Sequence, residues 1–355
     1  MTGEQQNGTG SASSRPAPEG LTLRAWEDGD DLRLLEVFGD PVDVQQHQDR
    51  AMLAASSDTP WRRCIVAEVD SVPVGAAVVY ASSLHSQRLW LYVETAASER
   101  RRGIGSALVT ALREIVAAAH AAGEVTTTAL KSRFGLAPED TRTVAEGDEL
   151  PELDLESRAE RAAQAEATGA FLTGHGFAPI QRSKRVAVAA RSVALPTLRT
   201  EETPDGVTLE ESSTGSVELT RAVAAFYNGT HAWDPAEMSL GQAQQMLLGP
   251  DTGAAGAVVL RDRPGAEGGT IRAFAVSYTA ERQEDPADVL LGWDPELPEP
   301  EAQQAVADLL ALLVAQHPVQ IEVDESMTAL APIVDGLLTA GYAQVLADAS
   351  VVATA

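Results

Sequence analysis

The chain has 355 residues, 44% of them hydrophobic, and a formal net charge of -26. That length suffices for about two domains with sizeable cores. The acidity excludes the broad basic face that nucleic-acid binding needs; it could draw in a cationic amine, though such charges ordinarily form a solvated surface.

Residues 1–19 are Gly, Ser, Gln and Pro with few apolar side chains, a composition expected of a disordered tail. Leu21–Ala25 alternates as a first strand. Asp28–Phe38 reads as a helix with Asp28 or Asp30 as N-cap, and 42–55 as a second helix with an exposed His47. Cys64–Val69 and Val74–Ser82 form a predicted hairpin across Asp70-Ser71. The single cysteine, Cys64, rules out an intrachain disulfide, and its apolar run marks a buried thiol rather than a nucleophile.

The next stretch organises the chain. Leu89–Thr95 is aromatic and β-branched enough for a strand, and Ile104, Leu108, Leu112 and Ile115 repeat at helical spacing. Between them, Glu99–Gly105 supplies three arginines and two glycines. Amides at a helix start lack intrahelical partners and the macrodipole favours an anion there. Glycines let a large anion approach the backbone. Arg100-Arg101-Arg102-Gly103-Ile104-Gly105, set between strand and helix, resembles the R/Q-x-x-G-x-G/A signature of the GNAT N-acetyltransferase family.

Val125–Leu130 is the expected following strand, which gives the family order β-α-α-β-β-β-α-β. Residues 134–156, acidic and Pro-containing, read as an insertion, either a substrate lid or a surface loop. Residues 157–173 are an Ala-rich helix ended by Gly174-His175-Gly176, and Val186–Ala190 closes the sheet. Arg191–Pro204 reads as a linker. The second half then echoes the first: Gly206-Val207-Thr208-Leu209, Ala257–Leu260, Ala273–Tyr278, Val289–Trp293, the helix Ala305–Val314 and Leu337–Ala343 follow in the same order. Where the first half has Arg100–Gly105, the second has Leu297-Pro298-Glu299-Pro300-Glu301-Ala302-Gln303. Prolines remove donors there and carboxylates repel a diphosphate.

The expected fold is therefore α/β (α+β), two tandem GNAT-like domains, each a mixed, mostly antiparallel sheet flanked by helices. The expected boundaries are 20–192 for the acetyl-CoA domain, 193–205 for the linker and 206–355 for a degenerate domain. The layout is similar to that of two-domain GNAT enzymes such as mycothiol synthase; the likeness is one of architecture, and that reaction is not assigned.

The resemblance implies acetyl transfer from acetyl-CoA to a primary amine of a small molecule or peptide. It implies diphosphate contacts from the backbone of Arg101, Arg102, Gly103, Ile104, Gly105 and Ser106, with Arg100 bracing the loop, and a carbonyl contact from the backbone of Val93, Glu94 or Thr95. Glu94 is the candidate base, or else a solvent-facing strand residue. The family's thiolate-protonating tyrosine falls on Leu172, with Leu337 at the matching place in the second half. Tyr92, Tyr80, His175 or water could substitute, although packing accounts better for each tyrosine and a turn for His175. Tyr227, His231 and Trp233 either line a pocket or pack a helix end. No metal site, nucleic acid or membrane partner is expected, since no apolar run reads as a bilayer span. A cytoplasmic monomer or homodimer is.

Overall fold

The structure is a computed structural model, and it describes residues 18–41, 44–137, 158–279 and 286–355. Two compact units interleave along the chain. One comprises the chain through Ser132 with Gly169–Ala178 and Ala353–Ala355; the other comprises Arg133–Thr168 with Pro179–Val352. Most of the insertion expected at 134–156 lies outside the described residues.

In the first unit, β1 (Leu21–Ala25), β3 (Trp61–Val69), β4 (Val72–Tyr80), β5 (Leu89–Thr95) and the start of β6 (Leu130–Leu136) lie side by side in that order, with the short β2 (Ser57–Asp58) on β3. All pairs are antiparallel except β5 with β6, which is parallel. The β3–β4 turn places Asp70 at φ 51° and Ser71 at φ 66°, the mirror-image turn whose twist matches its strands. Helix α1 (Asp30–Phe38) follows Gly29, which is left-handed and caps nothing with a side chain. Asp30, one of the expected caps, is instead buried inside the first turn, where it accepts from the Glu27 amide at 2.8 Å and from Arg24. The second helix, α2, is shorter than expected, at Val44–Arg50.

Helix α3 (Ile104–Ala122) buries Ile104, Leu108, Leu112 and Val116 against β3, β4 and β5. A four-residue spacing holds this row on one face, so Val116 takes the buried place expected for Ile115. At 19 residues, α3 is long and apolar enough by length and composition to cross a membrane, contrary to the expectation that no such run exists. Its apolar row is occupied by the sheet.

Strand β6 starts at Leu130 rather than Val125. The Thr127 hydroxyl accepts from the Ala129 amide at 3.0 Å, a local turn that competes with strand pairing. At the chain's other end, the Thr354 amide donates to the Leu130 carbonyl at 2.9 Å.

Helix α4 (Arg158–Gly174) leads into the second unit's β7 (Ala178–Val188), β8 (Thr208–Ser212), β9 (Ala254–Arg261), β10 (Ile271–Tyr278), β11 (Ala287–Trp293), β12 (Val319–Asp324) and β13 (Ala343–Ala353). Its helices are α5 (Val217–Thr230), α6 (Leu240–Ala243), α7 (Glu299–Leu313) and α8 (Ala331–Ala340). The pairings β8–β9, β9–β10 and β10–β11 are antiparallel and β11–β12 is parallel, the pattern of β1, β3, β4, β5 and β6. Strand β7, expected to close the first-half sheet, pairs antiparallel with β12 from Val188↔Val319 to Ser183↔Asp324. Its buried run Val186-Ala187-Val188 fits any apolar sheet edge, so the sequence pattern could not say which one it takes.

A charged corner repeats in both units. In the first, Arg24 of β1 binds Asp30 of α1 and Glu68 of β3. In the second, Arg261 of β9 binds Glu218 of α5 and Glu210 of β8. The helix supplies a carboxylate in each, while arginine and glutamate trade strands.

Candidate active site

Strand β5 is paired with β4 along its length, from Tyr80↔Trp90 to Gly75↔Thr95. With β6 it shares only two residue pairs, Leu89↔Leu130 and Trp90↔Lys131. That ladder therefore stops short of Val93, Glu94 and Thr95, the backbone expected to meet the thioester carbonyl.

Beyond β5 the chain makes one tight turn, Ala97–Glu99, and then two left-handed steps, Arg101 at φ 64° and Gly103 at φ 85°. Gly103 takes this conformation without penalty, whereas Arg101 is held in it. Arg102 is tied to Glu99 by an ion pair, and Arg101 and Arg102 are exposed. No side chain caps α3. Helix geometry leaves the amides of Ile104, Gly105 and Ser106 without intrahelical acceptors, at an end carrying about half a positive charge. A Cβ on Gly105 would sit 3.3 Å from the Phe171 ring of α4, so the helix start is closely backed. This combination fits a diphosphate.

Glu94 and Tyr92 occupy the other face of β5, toward α2. Glu94 is 8% exposed rather than solvent-facing. Its carboxylate receives four hydrogen bonds: Arg50 Nε at 2.8 Å, Arg50 Nη2 at 2.8 Å, Gln46 Nε2 at 3.0 Å and Tyr92 OH at 2.6 Å. Burial, reinforced by Glu94, pushes the Tyr92 phenol upward, so it remains a protonated donor. Arg50 is held above its ordinary value because Glu94 outweighs the opposing effect of burial. Tyr92 and Tyr80 also pack on the cluster of Leu34, Leu53, Cys64, Val66, Ala76 and Val78. Cys64 is buried within it, and burial raises its thiol to about 12, which makes it inert.

Arg50 and Gln46 escaped sequence reading. They lie in a glutamine-rich stretch with no motif, and only the fold brings α2 to Glu94.

At the end of α4, Leu172 is buried and packs at the place expected for tyrosine. His175 does more than turn the chain: its Nε2 lies 3.0 Å from Ser106 Oγ in the first turn of α3, and its ring packs on Phe171 at 4.7 Å.

In the second unit, α7 starts after Pro298 and carries Pro300 within its first turn. The Glu301 amide already donates to the Pro298 carbonyl at 2.9 Å, and the Glu301 carboxylate pairs with Arg272 at 2.7 Å. Elsewhere in this unit, Tyr227 and His231 stack at 4.0 Å, and His231 and Trp233 lie 5.6 Å apart. His231 Nδ1 donates to the Tyr227 carbonyl at 2.7 Å, a contact that packs the end of α5.

Residues 29–133 match the family model described as acetyltransferase (GNAT) family. No curated protein matches the sequence. Among solved structures, a GCN5-related N-acetyltransferase from Sphaerobacter thermophilus is similar at 12% identity, covering 96% of each chain with a TM-score of 0.55. A tandem GNAT protein from the clavulanic acid biosynthesis pathway is similar at 14% identity, covering 94% of this chain and 98% of its own, with a TM-score of 0.53. A probable N-acyltransferase from Enterococcus faecalis V583 matches at 8% identity over 94% of this chain and 72% of its own, with a TM-score of 0.50. At such identities these structures speak to fold, and the family model speaks to the segment it matches. Residues 29–133 thus form a domain of the GNAT acetyltransferase family, within a chain that has the fold of tandem GNAT proteins.

Proposed function

We propose that the protein is a cytoplasmic acetyl-CoA-dependent N-acetyltransferase that moves an acetyl group directly to a primary amine of a small molecule or peptide. The observation that carries this reading is the start of α3, where left-handed Arg101 and Gly103 lead into an uncapped helix N-terminus. The diphosphate would lie on the amides of Ile104, Gly105 and Ser106. Acetyl-CoA supplies the activated thioester. The backbone of β5 near Val93–Thr95 would donate to the carbonyl oxygen as it gains charge. The amine must lose a proton to attack. Glu94 would accept it after Gln46 or Arg50 releases one carboxylate oxygen, and the proton passes finally to the departing thiolate sulfur through Tyr92 or water. We read 206–355 as a degenerate GNAT-like domain that binds no CoA. Its acidic, proline-bearing α7 start supports this.

The test is release of free CoA thiol from acetyl-CoA across polyamines, aminoglycoside-like amines and lysine peptides. The reading expects release that depends on one amine class. A second reading, a non-catalytic acyl-CoA-binding protein, is favoured by Glu94 already holding four donors and by Leu172 in place of tyrosine. Binding without thiol release on every amine would select it.

A further inference from the structure

The α4 end and the α3 start are joined by more contacts than a turn requires. His175 Nε2 meets Ser106 Oγ at 3.0 Å. Arg113, two turns further along α3, donates to the His175 carbonyl. Phe171, one turn before His175, fills the space where Gly105 has no side chain. The hydroxyl of Ser106 therefore sits among the open amides of α3 with its direction governed by one imidazole nitrogen.

That nitrogen has two options. Without a proton, Nε2 accepts the Ser106 O–H, and the hydroxyl oxygen turns its lone pairs outward, which repels an anion. When Nε2 carries the proton, in the neutral Nε2–H tautomer or in the imidazolium, it donates to Ser106 Oγ, and the hydroxyl hydrogen is released to point outward as an additional donor. An anion at the start of α3 selects the second arrangement, and its negative charge also favours the imidazolium form.

We propose that His175 is a positioning residue that turns the Ser106 hydroxyl toward the CoA diphosphate and takes up a proton when the diphosphate binds. This rests on the acyl-CoA reading above. In the free protein the ring is held below its ordinary value, first by burial and then by the Arg113 cation, which is the charged group acting on it from α3. A neutral ring thus awaits the ligand. Binding supplies the opposite charge and raises the ring's affinity for a proton. By linkage, the anion binds more tightly as pH falls from the value that protonates the complex toward the lower value of the free protein.

The test uses the full chain and 3′-dephospho-CoA, whose diphosphate does not titrate near neutrality, unlike the 3′-phosphate of CoA. Calorimetry from about pH 8 to about pH 5.5, in two buffers of different ionisation enthalpy, reads proton uptake directly. The proposal expects fractional proton uptake and affinity that rises by up to about tenfold across this range, as follows when the complex holds the His175 proton about tenfold more tightly than the free protein does. His175→Gln keeps a donor to Ser106 but cannot titrate, so it should bind with no proton uptake. His175→Ala should bind about tenfold more weakly at low pH, and His175→Ala with Ser106→Ala no more weakly than either alone. Uptake that persists in His175→Gln, or additive losses in the double variant, would overturn the proposal while leaving the acyl-CoA reading intact. No binding by the wild-type protein would overturn both.

Discussion

Two helix starts, those of α3 and α7, follow equivalent strands in the two units and meet opposite chemical fates. At α3, glycine opens the cap, arginines surround it, and three amides keep their hydrogens directed outward. At α7, proline stands at the cap and again at Pro300, the Glu301 amide, one of the two that remain in the first three positions, turns back to Pro298, and Glu299 and Glu301 set carboxylates against the positive end of the helix dipole. Both are sound ways to begin a helix. Only the first leaves positive potential unspent for a ligand. On the proposed reading, a repeated fold keeps its architecture while one copy lacks the anion site, because packing depends on the buried rows and anion binding depends on a few residues at one end.

The strongest way to break this contrast is Gly105→Glu. The new side chain would collide with Phe171, 3.3 Å from its Cβ, and place a carboxylate at the diphosphate. Acetyl-CoA affinity should fall by about a hundredfold or more, read by calorimetry, with far-UV circular dichroism confirming that the fold survives. Next, Glu94→Gln should lower kcat by about two orders of magnitude with acetyl-CoA affinity little changed, the signature of a base rather than a binding residue. A parallel loss of affinity would instead mark the Arg50–Glu94–Tyr92 network as a scaffold.

The charged corners allow a structural test of the duplication. Arg24→Glu leaves Asp30 and Glu68 facing a like charge and should cost about 2 kcal/mol in urea unfolding, because Asp30 is buried but Arg24 is partly solvated. Adding Glu68→Arg recreates the arrangement of Glu210, Arg261 and Glu218 and should recover most of the loss. Asp30 is held below the usual carboxylate range, Arg24 and the Glu27 amide outweighing the effect of burial. Its contribution is thus complete above the unfolded value near pH 4 and lost as pH falls through the lower folded value, so Asp30→Asn should flatten the acid limb of the stability curve. The smallest effect is expected at the second helix start: Glu301→Gln should leave acetyl-CoA affinity within about twofold, since Pro300 still withholds its donor.

Much of this was legible in the chain. The four-residue row of α3, the glycine-bearing loop and the Asp70-Ser71 turn each follow from local rules, and the same rules found the repeat. The partner taken by β7 was not legible, because its consecutive buried run Val186-Ala187-Val188 fits any apolar sheet edge. Neither were Arg50 and Gln46, whose role depends on α2 lying across the end of β5, nor the Ser106–His175 contact between residues 69 apart. Sequence periodicity reports what a residue buries; it does not report which distant side chain it meets.

The most direct measurement of the contrast between the two helix starts is the stoichiometry of acetyl-CoA binding to the wild-type protein by calorimetric titration. The account predicts one site per chain, of about micromolar affinity. Two sites would contradict the reading of the second unit, and no binding would contradict the reading of the first.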